Sequence, residues 1–317
     1  MAWPSLQKKS GRIPKLIIWL GGLAGVAFIT LFVPSCSDNP SASSRKPLCG
    51  PNGILRVGLM DLQEGQEGGI NQIFSDDDIE GLRTLLMQAS QCEVQLEPLS
   101  STERARSKLA ARGWDAAFLP PGLSAFALSQ TAGYSPLRIL GGRQTARSSI
   151  LVLDSSRFRS LADLQGSSVG LLPRGSLTGF YLPLYNMHGL TLSRVSFGLN
   201  YADLLNKLEK GEVAAIAWDE SLPPPSLAVR RLMVDSHAIP LGALVLSGGL
   251  TESDYVPFLK ALDASSGQMP PAIGYAAGIL PDQKEVQPLK AIVESVESWA
   301  MPLESQVYRV FGEKPGG

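Results

Sequence analysis

The segment Val169-Gly-Leu-Leu-Pro-Arg-Gly-Ser-Leu-Thr-Gly-Phe-Tyr-Leu-Pro-Leu-Tyr-Asn-Met187 changes its periodicity half-way along. Val169–Leu172 is an apolar run of strand length, Pro173–Gly175 is turn chemistry, and Thr178–Met187 reads as a helix. A buried strand feeding a helix through a short Gly/Ser turn is the repeating unit of an α/β fold. The alternation recurs on both sides. Upstream, Leu55–Met60 reads as a strand, and Asp78–Ala89 as a helix with a stripe of Ile79, Leu82, Leu85, Leu86 and Ala89. Glu93–Glu97 is a strand ended by Pro98, Ser101–Arg112 a helix, and Asp115–Leu119 a strand halted by Pro120-Pro121. Ile150–Leu153 is a further strand and Ser160–Gly166 a short capped helix. Downstream come a helix at Tyr201–Lys210, a strand at Val213–Trp218 and a mostly helical tail, Pro288–Val310. Two such sets predict two doubly wound α/β lobes with a ligand cleft between them. The first lobe is assigned residues 54–145 and 236–317, the second residues 146–235.

The composition supports a folded body. Of 317 residues 44% are hydrophobic, and net charge is −1, the opposite of the low-hydrophobicity, high-charge signature of disorder. Four of the 28 basic residues (Lys8, Lys9, Arg12 and Lys15) fall in the first 35, where there is no acid. The remainder is mildly acidic and has no Lys/Arg cluster, which excludes the electrostatic footprint of a nucleic-acid binder.

Those four charges precede an uncharged apolar run, Leu16–Val33, and then Val33-Pro34-Ser35-Cys36. A basic start, an apolar stretch and small residues describe an export signal over residues 1–35. The cysteine after Val-Pro-Ser resembles the lipobox of bacterial lipoproteins, in which Cys36 would be acylated. An uncleaved anchor helix is the alternative, since a run of about 18 residues can just cross a bilayer. Simple secretion is a third. All three place the body outside the cytoplasmic membrane, on a tether at residues 36–53 rich in Ser, Pro and Asn. If the strands beginning near Leu55 and Glu93 are parallel neighbours, Cys49 and Cys92 share a sheet edge, and an oxidising compartment would let them pair. Otherwise they are two isolated thiols.

Three motifs could carry chemistry. In Pro173-Arg-Gly-Ser-Leu-Thr-Gly179, Gly175 permits an unusual turn and Ser176 can cap the helix. The N–H groups of Leu177, Thr178 and Gly179 at a helix start suit an oxyanion, although a capped helix without a ligand has the same sequence. In Val213–Glu220, Asp219 ends a buried strand, where α/β proteins bind ligands or where a carboxylate caps the next turn. Trp114–Pro121 reads as core strand and rigid turn. Enzymatic alternatives find few groups. There is no G-x-x-x-x-G-K-[ST], so Leu246-Ser-Gly-Gly-Leu250 is a turn. There is no G-x-S-x-G, and the two histidines, His188 and His237, have no H-E-x-x-H or zinc-spaced cysteines around them. No metal or cofactor is implied.

Residues 114–219 resemble the phosphonate/phosphite/phosphate-type substrate-binding proteins of ABC importers, two-lobed receptors of the type II periplasmic-binding fold. The resemblance runs, in the family's order, through Ser149-Ile-Leu-Val-Leu-Asp-Ser155, Ser160-Leu-Ala-Asp-Leu-Gln-Gly166, Ser176-Leu-Thr-Gly-Phe-Tyr-Leu-Pro183 and Gly211-Glu-Val-Ala-Ala-Ile-Ala-Trp-Asp219. It implies an oxyanion held by Ser176, Leu177, Thr178 and Gly179, with Ser149 as a further donor. The family's Ser-Thr-Ser reads Ser176-Leu177-Thr178 here. Tyr201 falls where the family often has a histidine, and Asp219 on its acidic position. Gln63–Phe74 holds no clear counterpart of its first-lobe tyrosine.

The expectation is therefore a monomeric, lipid-anchored receptor on the periplasmic side of the cytoplasmic membrane, or on the outer face of the cell. It would bind a small anionic solute and deliver it to an ABC permease and ATPase. A tethered sensor or accessory protein of the same fold is the first alternative. An enzyme on this fold is the second, and would require His188 or His237 close to Asp219.

Overall fold

The computed structural model of the chain describes residues 48–62, 65, 73–302 and 306–311. The expected signal, residues 1–35, and Cys36 lie outside them. The chain begins with strand β1 (Ile54–Met60), helix α1 (Asp76–Ser90), β2 (Glu93–Leu99), α2 (Thr102–Ala110), β3 (Ala116–Leu119), α3 (Pro121–Ala127) and the long β4 (Tyr134–Ala146). It then crosses to β5 (Ser148–Leu153) and β6 (Ser168–Leu171). A π-helical turn (Leu177–Tyr181) leads into α4 (Leu182–Asn186), β7 (Thr191–Leu192), β8 (Arg194–Phe197), α5 (Tyr201–Glu209), β9 (Ala215–Asp219) and β10 (Val229–Val234). Strand β11 (Ile239–Ser247) returns to the first half, followed by α6 (Glu252–Ala264), α7 (Gln283–Ser298) and β12 (Tyr308–Arg309).

Two five-stranded sheets result, ordered β2-β1-β3-β11-β4 and β10-β5-β9-β6-β8. Strands linked by helical crossovers are parallel: β2, β1 and β3 in the first sheet, β9, β6 and β8 in the second. Strands carrying the chain into or out of a half run antiparallel: β11 against β3 and β4, and β5 against β9 and β10. The first sheet thus draws on residues 54–146 and 239–247, the second on 148–234. The tail, assigned above wholly to the first lobe, serves both halves. Helix α7 packs on α3 and also on the π turn and α4, and β12 pairs with β7.

Local chemistry explains the elements. Ser75 and Asp78 form a capping box that starts α1. Ser101 caps α2 by accepting from the Arg104 N–H at 3.3 Å. Pro98 does not end β2, which runs on to Leu99 opposite Met60. The strand is at the sheet's edge, where a missing N–H leaves no neighbour unsatisfied. The expected tail helix stops at Ser298, after which the chain turns towards β12.

Three apolar layers hold the fold. Leu55, Val57 and Leu59 on one face of β1 meet Leu82 and Leu86 of α1 and Phe258 and Leu262 of α6. The far face of the second sheet packs Leu151, Ile216 and Trp218 against Leu204 and Leu208. Between the sheets a larger layer runs from Trp114, Leu123 and Phe126 through Leu177, Phe180 and Tyr181 to Val169, Val293 and Val296. The turn singled out in the sequence therefore lies in the seam between the two halves. Cys49 and Cys92 are joined as a disulfide, with Cα atoms 5.8 Å apart. Residues 48–53, assigned above to the tether, are thus fastened to the β1–β2 edge. No helix among the described residues is long and apolar enough to cross a membrane.

Candidate ligand-binding site

Strand β6 ends at Leu171, and the chain reverses through Pro173-Arg174-Gly175. Gly175 has φ 118°, a backbone region that side chains rarely tolerate. Ser176 is extended, and its Oγ accepts from the Gly179 N–H at 2.9 Å. The next turn is wide: Tyr181 N–H donates to Ser176 O at 3.1 Å, an i to i−5 bond. Pro183 accounts for part of this. Having no N–H, it leaves the Gly179 carbonyl to accept instead from Leu172 N–H at 2.9 Å, which ties the turn to the end of β6. The kink expected at Pro183 takes the form of this π turn.

The turn gathers side chains from two further elements. Tyr201 is the first residue of α5, capped by Asn200, whose side chain accepts from Asp203 N–H at 2.8 Å. Its hydroxyl lies 2.7 Å from Thr178 Oγ1, and its ring meets Trp218 edge-on, centroids 5.3 Å apart. Thr178 Oγ1 donates to Asp219 Oδ2 at 3.2 Å, so with Asp219 ionised the relay runs from the Tyr201 O–H through Thr178 to the carboxylate. The other oxygen of Asp219 accepts from Ser221 N–H at 2.8 Å and Ser221 Oγ–H at 2.7 Å. Burial pushes the Asp219 carboxyl above its ordinary range, and the bonds from Ser221 and Thr178 pull it part of the way back. From the first half, Gly65 O accepts from Tyr201 N–H at 2.8 Å.

Six of the seven expected site residues therefore come together: Ser176, Leu177, Thr178, Gly179, Tyr201 and Asp219. Ser149 does not join them. Its Oγ donates to Glu220 Oε1 at 2.6 Å. Burial would raise the Glu220 carboxyl, but Arg231 and Ser149 hold it below its usual range. The serine that meets the turn is Ser148, whose Oγ donates to Thr178 O at 2.7 Å. Adjacent residues of a strand point to opposite faces, so only one of the pair can do this. Ser148 stands opposite Asp219 in the ladder, and Ser149 opposite Trp218. Gly179 also differs from expectation, since its N–H is engaged by Ser176 and it supports the turn from within.

The Trp114–Pro121 motif contributes core and contact. Trp114 is buried, its Nε1–H donating to Glu97 at 2.8 Å. Beyond Pro121, Gly122 sits so close to the turn that a Cβ there would lie 2.0 Å from Gly175 O and 2.6 Å from Leu177 N. Sequence reasoning missed this contact, although a glycine directly after Pro-Pro at a strand end was a visible signal. Leu177, the departure from Ser-Thr-Ser, is fully buried and lines a small apolar cavity with Pro121, Ala125, Ala243 and Leu289. Both histidines are occupied elsewhere. His237 Nδ1 lies 2.6 Å from Asp235, and His188 packs against Trp299 and Phe311.

Two mixed sheets, a chain that crosses between them and returns, and a helix-start turn in the seam define a class: the two-lobed type II periplasmic binding proteins. Solved structures with this fold include an ATP-bound protein of Xanthomonas citri (15% identity, TM-score 0.61, covering 77% of this chain and 98% of that one). Another is PhnD1 of Prochlorococcus marinus in complex with methylphosphonate (14%, 0.54, 77% and 98%). A third is a binding protein component of an ABC phosphonate transporter from Pseudomonas aeruginosa (12%, 0.53, 75% and 85%). Among curated proteins none matches this sequence. The family model described as "ABC transporter, phosphonate, periplasmic substrate-binding protein" matches residues 75–262. The chain belongs to that family of substrate-binding proteins.

Proposed function

We propose that this chain is the extracytoplasmic solute receptor of an ABC importer, held at the membrane through Cys36 and acting as a monomer. Its solute is a small phosphorus oxyanion: phosphonate, phosphite or phosphate. The observation that carries this reading is the Tyr201–Thr178–Asp219 relay built onto the Ser176–Gly179 turn. A helix start favours negative charge, the Ser176 hydroxyl adds a neutral donor, and Thr178 would donate to the anion in exchange for its bond to Asp219. Asp219, whose carboxyl burial pushes above its ordinary range, would accept from a protonated oxygen of the ligand. That combination selects an oxyanion that still carries a hydroxyl. Ser148 positions the turn, and Ser149 has no part in binding. The methylphosphonate held by the Prochlorococcus relative sets the first probe.

The test is a thermal-shift panel on the full chain with phosphite, methylphosphonate, 2-aminoethylphosphonate, phosphate, sulfate and taurine. Ligand at 100 times its Kd adds about 2.7 kcal/mol of stability, roughly 4–5 °C at this size. A shift confined to phosphorus oxyanions supports the receptor and names its solute. A flat panel overturns the oxyanion reading and leaves a sensor or accessory protein of the same fold.

A further inference from the structure

One carboxylate ties the candidate site to the rest of the molecule. Glu297, the penultimate residue of α7, has a side chain only 16% exposed. Its Oε1 accepts from Arg174 Nε at 2.9 Å and from the Tyr181 hydroxyl at 2.5 Å. Its Oε2 accepts from Arg106 Nη2 at 2.6 Å and also from Arg174 Nη2. Arg174 lies two residues before Ser176, and Tyr181 closes the π turn, so the two donors bracket the site turn. Arg106 belongs to α2 in the first half, where it also meets Glu103 at 3.1 Å and lies over the Phe126 ring at 4.8 Å. The pairing is not a surface ornament, since the Arg106 and Arg174 side chains are 10% and 24% exposed. Guanidinium groups this deeply placed need a carboxylate of fixed geometry, and a bidentate pairing supplies direction as well as charge.

We propose that Glu297 is a positioning residue for the oxyanion site, clamping Pro173–Tyr181 in the conformation that presents Ser176, Leu177 and Thr178. It touches no part of that site itself. The inference rests on reading residues 176–179 as the place where the anion binds. Its consequence is coupling: Arg106 from the first half and Arg174 from the second share one acceptor. The turn is therefore firmest when the two halves are together.

The test is hydrogen exchange of the full chain without ligand. Glu297→Gln is expected to speed amide exchange across residues 173–182 by at least about tenfold, while segments from β1, α1 and β5 stay within about twofold. Tyr181→Phe removes one bond and leaves every charge paired. It serves if Glu297→Gln folds poorly, and should show the same local change at about threefold. Unchanged exchange in the turn overturns the proposal. So does a uniform rise over all segments, the mark of a merely structural loss. In a second arm, any probe of the panel that binds the wild type should bind Glu297→Gln at least about tenfold more weakly, and an unchanged affinity also overturns the clamp. Should no probe bind the wild type, the oxyanion reading fails, and the exchange arm still decides the clamp.

Discussion

Thr178 divides its hydroxyl between Tyr201 and Asp219, and Ser176 spends its own on the Gly179 amide. Replacing either residue by alanine removes a donor and slackens the turn. Each change should weaken oxyanion affinity by about 1–3 kcal/mol, roughly 5- to 150-fold, measured by calorimetry. Unaltered affinity in both variants would remove the turn from the site. Asp219 makes a separate prediction. Because folding raises its carboxyl above the ordinary value, the folded chain favours the protonated form. The stability this lends is complete below the unfolded-chain value and lost as pH rises through the folded one. Asp219→Asn, neutral throughout, should therefore melt higher than wild type at pH 7, by a few degrees, with the gap closing as pH falls towards about 4. A gap that persists or widens at low pH would contradict the assigned direction.

At the scale of elements, the π turn and the edge strand β2 each show a proline used where its missing N–H does least harm. Pro98 sits on an outer strand, and Pro183 leaves a carbonyl for β6 to use. The start of β1 is secured differently. The Cys49–Cys92 bond spans a separation of 43 residues, linking the segment before β1 to the strand beside it. Chain entropy alone assigns a closed loop of that size about 4 kcal/mol. The Cys49→Ala/Cys92→Ala double variant should melt roughly 6–7 °C below wild type, and reductant should move the wild type to the same point. A melting temperature indifferent to reductant would show that the bond is absent in solution.

Over the whole molecule, the two halves meet at backbone distance where Gly122 faces Gly175 and Leu177. Any side chain at position 122 must push the halves apart or displace the turn. Gly122→Ala should enlarge the radius of gyration seen by small-angle scattering and weaken oxyanion binding at least about tenfold, in line with an overpacking penalty of 1–3 kcal/mol. Equal compactness and affinity would mean that this contact does not form in solution. Leu177 fits the same picture. Its side chain is buried against Pro121, Ala125 and Ala243 of the first half.

The β-turn-α unit at Val169–Met187, the two α/β sets and the position of Asp219 at the end of a buried strand were legible in the sequence, because strand and helix periods and capping residues act over a few positions. Ser176, Thr178, Tyr201 and Asp219 were named from their neighbours in the chain, and the structure gathers them. The rest depended on partners distant in sequence. Whether Ser148 or Ser149 faces the turn is a matter of ladder register, which no local pattern records. The antiparallel placement of β11 and β5, the return of the tail to β7 and the engagement of Glu297 with residues 191 and 123 positions away follow from packing two sheets against one seam. Local chemistry determined which elements form. Only tertiary structure, by bringing apolar faces and buried charges together, decided which residues meet.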